Sequence, residues 1–456
     1  MSEYRTENPA TGEVEQTFDA LDDAGVQDAL GRAHDAYLNW REYDPAGRAA
    51  ILLKVADLYD ERAQELAEII AGEMGKPVAQ GLGELKLVSS IYRYYGENGV
   101  GKLEEEVLDV PGGRSIVRRD PVGVLLGIMP WNFPYYQVAR FAAPNLMLGN
   151  TILLKHAQIC ARSALVMEEI FRDAGLPEGA YVNVFLSNEQ AADVIADPRV
   201  QGVSLTGSER AGAEVAATAG KHLKKCVLEL GGSDAMIILD SEDLAKTVKA
   251  ATNGRLGNAG QACNSPKRMF VVEDLYDEFV AGLAASFAQW QPGDPVAEGT
   301  RMGPLSSVDA RDRLMEQVQD AKDKGVTVHT GGDAVDGPGA FMQPTVLTDV
   351  TPEMRAYTEE LFGPVAIVFK VASADEAIER ANASAYGLSG SVWTSDIELG
   401  RSIADRLDVG MAYVNEHGTT LPGLPFGGVK RSGYGRELAE YGMDEFANRK
   451  LVRVRG

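Results

Sequence analysis

A cysteine, a glutamate and an asparagine, each beside a glycine or proline turn, have the most chemistry to offer in this chain. Cys263 lies in "GQACNSPKR", a short polar run between a helical pattern and an apolar strand. Free cysteine is among the most buried residue types, so residue type alone makes Cys263 a small core side chain as readily as a nucleophile. Glu229 ends the apolar run of "VLELGGSD", ahead of two glycines that permit close backbone approach. A carboxyl half removed from water there rises toward the range of a general base, whereas a plain strand-end glutamate stays solvated. In "IMPWNFP" two prolines fix the backbone around Trp131 and Asn132, whose amide can donate to a developing oxyanion or simply close a turn. Lys155 closes the run "TILLK", and Gly207 and Ser208 of "LTGS" open a helix. A lysine and a helix N-terminus at strand ends offer positive charge to a phosphorylated ligand, although no G-x-G-x-x-G fingerprint accompanies them.

The elements that must hold these residues follow from the pattern around them. Short apolar runs alternate with helices in "VGVLLGIMP", "TILLKHA" and "VSLTGS", the signature of a parallel sheet with helices on both faces. The alternation resumes after Cys263 in "RMFVVE", "VAIVFKV" and "GMAYVN", which predicts a second α/β lobe. Glu104 to Pro121 alternates apolar and polar residues about "PGG" and reads as a protruding hairpin; Asp44 to Gly72 reads as one amphipathic helix with a glycine stop. The C-terminal "NRKLVRVRG" reads as an added edge strand, and an unpaired edge invites a second copy.

At 456 residues the chain exceeds what one hydrophobic core covers, so two lobes and a cleft are expected. A net charge of -23 argues against nucleic acid or an anionic membrane as partner. Such a dense acidic surface suits solubility and would be tolerated in a cytoplasm of high salt. Three cysteines are too few for a disulfide framework, and no signal peptide or apolar run of membrane-spanning length is visible, so a cytoplasmic protein is expected. Cys160 and Cys226 read as core. The five histidines show no ligand spacing, so no metal is expected, and His156 reads as structural.

The motifs "MPWNFP", "LTGS", "LELGGSD", "GQAC", "EELFGPV" and "PFGGVKRSGYGRE", in this order and spacing, resemble the NAD(P)-dependent aldehyde dehydrogenase superfamily across nearly the whole chain. The resemblance implies two Rossmann-like α/β lobes plus a small β oligomerisation element. The implied boundaries are 1–103 and 123–230 for the NAD(P)-binding domain, 231–432 for the catalytic domain, and 104–122 with 433–456 for oligomerisation as a homodimer or homotetramer. It further implies Cys263 as the nucleophile toward a small aldehyde, Asn132 and the Cys263 N–H as oxyanion donors, and Glu229 as the base that activates water to hydrolyse a thioester. The cofactor would be held by Trp131, Lys155, Gln158, Gly207, Ser208, Leu230, Glu360 and Phe362. Strict NAD users of the family often carry glutamate where Gln158 stands; a neutral side chain does not repel a 2'-phosphate, so both NAD and NADP stay open.

Among subfamilies, "LLKHA", "KKCVLELGGSDA" and "GRLGNAGQAC" look most like bacterial succinate-semialdehyde dehydrogenases. A substrate with a free carboxylate needs a cation, and Arg140 occupies the place where such enzymes carry one. Gly257 stands where better-known relatives carry a second arginine, and nearby Arg255 is the candidate to replace it. Another ω-semialdehyde or an aliphatic aldehyde would fit the same chemistry. A non-catalytic binding or structural protein of this fold would be expected to have lost the cysteine or the base, and this chain keeps both.

Overall fold

Five strands of the first lobe run parallel: Val124–Met129, Thr151–His156, Tyr181–Asn183, Val200–Thr206 and Lys225–Glu229. The computed structural model describes residues 4–455; residues 1–3 and 456, which the expected boundaries include, lie outside the described residues. Thr151–His156 is buried along its whole length, as a strand covered on both faces must be, and that explains its near-continuous apolar run. Chain order proceeds from Val124–Met129 outward on one side, then crosses to Val200–Thr206 on the other. This reversal is the switch point of a doubly wound sheet, where the carboxyl ends of the strands leave a ligand crevice.

The second lobe is built on a seven-stranded sheet. Asp234–Ile238 and Pro266–Val272 run parallel at its middle, flanked by Ser389–Trp393 and Val365–Val371, with Thr327–Thr330 antiparallel at one edge. Each lobe has its own large apolar core. The chain passes between lobes at Leu230–Ser233, directly after Glu229, so the junction falls at the "GG" pair.

The expected hairpin is present as Glu106–Leu108 and Arg114–Pro121, and Ala447–Val454 pairs antiparallel with the latter as an edge strand. Two boundaries differ from expectation. Of the segment 433–456, only the last strand joins the hairpin: Gly433–Tyr434 pairs with Leu228 and Glu229, while Met443 and Phe446 enter the first lobe's core. Burial of those two apolar side chains outweighs continuity with the strand that follows. The stretch Asp44 to Gly72 forms two helices, Pro45–Glu61 and Ala63–Met74, broken at Arg62. Gly72 lies inside the second helix, and the stop is Gly75, at φ 78°, a left-handed conformation that glycine adopts without strain. Among the described residues no helix is long and apolar enough to cross a membrane.

Candidate active site at the lobe junction

Cys263 reaches the interlobe cleft on a loop held in an unusual conformation. Asn258, Ala259 and Gly260 have φ of 53°, 51° and 75°, so three successive residues are left-handed just before it. For alanine this costs on the order of 1 kcal/mol or more and persists only where surrounding bonds dictate it. Those bonds are present: the Asn258 N–H donates to Gln80 Oε1 (2.7 Å), Gln261 Nε2 donates to the Asn258 carbonyl (3.1 Å), and the Ser306 N–H donates to Gln261 Oε1 (2.9 Å).

Two cavities meet at Cys263. One, of about 470 Å³, is lined by Lys76, Tyr136, Gln137, Arg140, Asn258 and His417 among others. The second, of about 290 Å³, is lined by Trp131, Asn132, Thr206, Gly207, Ser208, Leu230, Glu360 and Phe362. Cys263 and Gln137 are the residues that line both. Burial pushes the Cys263 thiol up to about 12, although the charges of Arg140 and Lys267 pull it down.

Asn132 is buried and anchored on every side. Its carbonyl accepts from Lys76 Nζ (2.9 Å) and Asn258 Nδ2 (2.8 Å), and its Nδ2 donates to the Gln261 carbonyl (3.1 Å), which leaves one amide N–H. Lys76 is itself buried, ion-paired to Glu84, and lies 3.8 Å above the centre of the Phe133 ring. Glu84 accepts the N–H groups of Tyr135 (3.0 Å) and Tyr136 (3.1 Å), the free donors that open helix Pro134–Leu148. Sequence reasoning missed this pair, because its partners are brought together only by the fold.

Glu229 is 2% exposed and neither carboxyl oxygen has a hydrogen-bond partner. Burial pushes it up to about 8, with Arg140 pulling down and Glu437 pushing up. It lines neither cavity, but its charge acts on Arg140 and raises the Cys263 thiol further. Arg140 is fully buried, ion-paired to Glu437, and donates to Tyr136 Oη and Thr206 Oγ1, both at 3.3 Å. Two of its five N–H groups have no partner among the described residues.

Arg255 corrects the expectation of a substrate contact. It is fully buried and its donors are spent on the carbonyls of Val365 (2.7 Å), Gly260 (3.0 Å), Leu361 (2.6 Å) and Gly363 and on Ser265 Oγ (2.6 Å). A guanidinium so committed staples the Cys263 loop to the Glu360 loop and offers nothing to a ligand.

The second cavity suits a dinucleotide. It lies at the switch point of the first sheet; Ser208 caps helix Glu209–Lys221, and Trp131 and Phe362 meet edge to face with centroids 5.7 Å apart. Lys155, nearly buried at a neighbouring strand end, has no ion-pair partner among the described residues, and burial lowers its pKa. Glu360 is held by the Gly232 N–H (3.1 Å) and Lys267 (3.2 Å). Gln158 sits in the turn after Lys155 but lines a separate cavity with Arg5, Glu7 and Ser307. His156 is structural: the Ala157 N–H donates to its Nδ1, its Nε2 bonds the Pro134 carbonyl, and burial pulls it down to about 4. Cys160 is buried and Cys226 half-buried, and among the described residues no cluster could hold a metal ion.

A doubly wound lobe, a second α/β lobe and a thiol at their cleft define a class of enzyme, and the chain belongs to the aldehyde dehydrogenase family, whose model matches residues 1–452. It is 57% identical over 451 residues to a protein of Deinococcus radiodurans named succinate-semialdehyde dehydrogenase (NADP(+)), covering 99% of this chain and 94% of the relative. A Mycobacterium tuberculosis protein named succinate-semialdehyde dehydrogenase (NADP(+)) 1 is 43% identical, covering 98% of each. Among solved structures, succinic semialdehyde dehydrogenase from Streptococcus pyogenes in complex with NADP+ superposes with a TM-score of 0.97 at 43% identity, covering 99% of this chain and 100% of that one.

Proposed function

We propose that this chain oxidises succinate semialdehyde to succinate with NADP+ and water, yielding NADPH and two protons. The observation that carries the reading is that Cys263 lines both cavities, one of dinucleotide character and one holding Arg140. In this reading the Cys263 thiolate adds to the aldehyde carbon, forming a C–S bond and an alkoxide held by the free Asn132 N–H and the Cys263 N–H. Trp131, Lys155, Gln158, Gly207, Ser208, Leu230, Glu360 and Phe362 would hold the cofactor, which when bound accepts the hydride from the thiohemiacetal carbon. The residue left on sulfur is a thioester. Glu229 takes a proton from water, hydroxide displaces the thiolate, and the acid departs. The two unpaired N–H groups of Arg140 would receive the distal carboxylate.

The names of the relatives support the substrate and the cofactor. The exposed edge strand Ala447–Val454, with Leu451 and Val454 each 60% exposed, supports assembly with a second copy. Steady-state kinetics with succinate semialdehyde, glutarate semialdehyde and butanal against NAD+ and NADP+ test the reading. The highest kcat/KM is expected with succinate semialdehyde and NADP+; butanal performing as well would give the chain to simple aliphatic aldehydes, and no reduction with any pair would overturn the chemistry.

A further inference from the structure

The cysteine loop is followed by two cations, Lys267 and Arg268, at the start of a strand that is otherwise apolar. Arg268 donates to the carbonyls of Ser233, Arg380 and Ala381 and ties its strand to the lobe junction and to the end of helix Ala374–Asn382. Lys267 does something different. Its side chain is 1% exposed, and its ammonium is shared among the Ala262 carbonyl (2.8 Å), the Cys263 carbonyl (2.8 Å) and Glu360 Oε1 (3.2 Å). Three donors meet three acceptors, and all three acceptors belong to the proposed chemistry.

The Ala262 carbonyl and the Cys263 N–H are two ends of one planar peptide group. Holding the oxygen therefore aims the N–H. Among the described residues the Ala262 carbonyl accepts one other bond, a long one of 3.4 Å from the Ser265 N–H. The Cys263 N–H itself donates to no protein acceptor among the described residues, so it is free for a ligand. A buried cation on the oxygen also polarises the group, because hydrogen bonds in series strengthen one another where the dielectric is low.

We propose that Lys267 is a positioning residue of the oxyanion site, orienting and polarising the Ala262–Cys263 peptide so that the Cys263 N–H stabilises the tetrahedral alkoxide. Glu360 supplies the counter-charge that keeps the ammonium protonated: burial pulls Lys267 down and Glu360 raises it. The proposal rests on Cys263 being the nucleophile.

Two reactions of the cofactor-free protein separate the parts. With para-nitrophenyl acetate the thiolate adds to the ester carbonyl through a tetrahedral alkoxide, para-nitrophenolate leaves, and the acetyl group stays on sulfur. With iodoacetamide the thiolate displaces iodide and no alkoxide forms. Both rates scale with the thiolate fraction, so their ratio cancels a change in that fraction and reads chiefly the oxyanion contribution. Peptide mass spectrometry locates each label. In Lys267→Met the acylation-to-alkylation ratio should fall about tenfold, less than the 10²–10³ that a direct donor is worth. Lys267→Arg should keep it within about threefold of the parent, and Lys267→Gln, which can donate without charge, should fall between them. If Lys267→Met does not fold, the Arg and Gln variants carry the comparison. An unchanged ratio in the neutral variants overturns the proposal while leaving Cys263 as the nucleophile. Acetylation that spares Cys263 in the parent protein overturns both.

Discussion

Replacing Glu229 by glutamine should change stability in a way that depends on pH, with a sign set by burial. The Glu229 carboxyl has no hydrogen-bond partner and is pushed up to about 8, from 4.5. Between those values the native chain holds a proton that the unfolded chain releases, so native stability contributed by this group is full below the lower value and is lost as pH rises through the higher one. At 1.36 kcal/mol per pH decade, ionisation in the unfolded chain disfavours folding by about 1 kcal/mol at pH 5 and about 3 kcal/mol at pH 7. Glutamine does not titrate. Whatever its constant packing contribution, Glu229→Gln should gain about 2 kcal/mol relative to the parent between pH 5 and pH 7. Urea unfolding followed by tryptophan fluorescence, with parent and variant side by side at each pH, measures this difference. A difference that stays flat from pH 5 to pH 8 would mean that Glu229 ionises like a solvated carboxylate, and would refute its assignment as a desolvated base. The same proton predicts that turnover in the parent rises with pH toward a midpoint near 8.

Other perturbations reach different parts of the account. Arg140→Lys should raise KM for succinate semialdehyde about tenfold, since a lysine cannot present the fork that a carboxylate takes, while butanal oxidation changes less than about twofold. Equal losses for both substrates would remove Arg140 from carboxylate recognition. Arg255→Met strips donors from four carbonyls and Ser265 and should destabilise the fold by about 3–5 kcal/mol in thermal or urea unfolding, with no selective effect on carboxylated substrates. A change in KM confined to succinate semialdehyde would contradict the structural role. Gln158→Glu places a carboxylate in the turn after Lys155 and should raise KM for NADP+ about tenfold relative to NAD+; an unchanged cofactor ratio would separate this turn from the 2'-phosphate.

Much of the site was legible because its parts lie at the ends of patterned strands. "VLE" before "GG" and "TILLK" are strand ends whatever the rest of the chain does, and the ordered motifs carried Cys263, Asn132, Glu360 and Phe362 into one cleft. Long-range ionic pairing was not legible. Arg140 finds Glu437 and Lys76 supports Asn132 across large sequence separations, and no local pattern announces either. Arg255 was misread for the same reason: a helix-end arginine near the cysteine looks available until the carbonyls of residues 361–365 are seen to surround it. The cations of "PKR" were a signal in the sequence, two charges opening a buried strand, whose meaning needed the Glu360 loop to be folded beside them. The break at Arg62 and the return of Gly433–Tyr434 to the first sheet are likewise tertiary choices, made where packing outweighs local periodicity.

In the proposed reaction Cys263 carries the substrate as a thioester, which Glu229 then clears. Glu229→Gln protein mixed with succinate semialdehyde and NADP+, quenched in acid and digested, should yield the Cys263 peptide heavier by one succinyl group in near-stoichiometric amount, alongside one equivalent of NADPH per subunit. NADPH formation with an unmodified Cys263, or the succinyl group on Cys160 or Cys226, would contradict it.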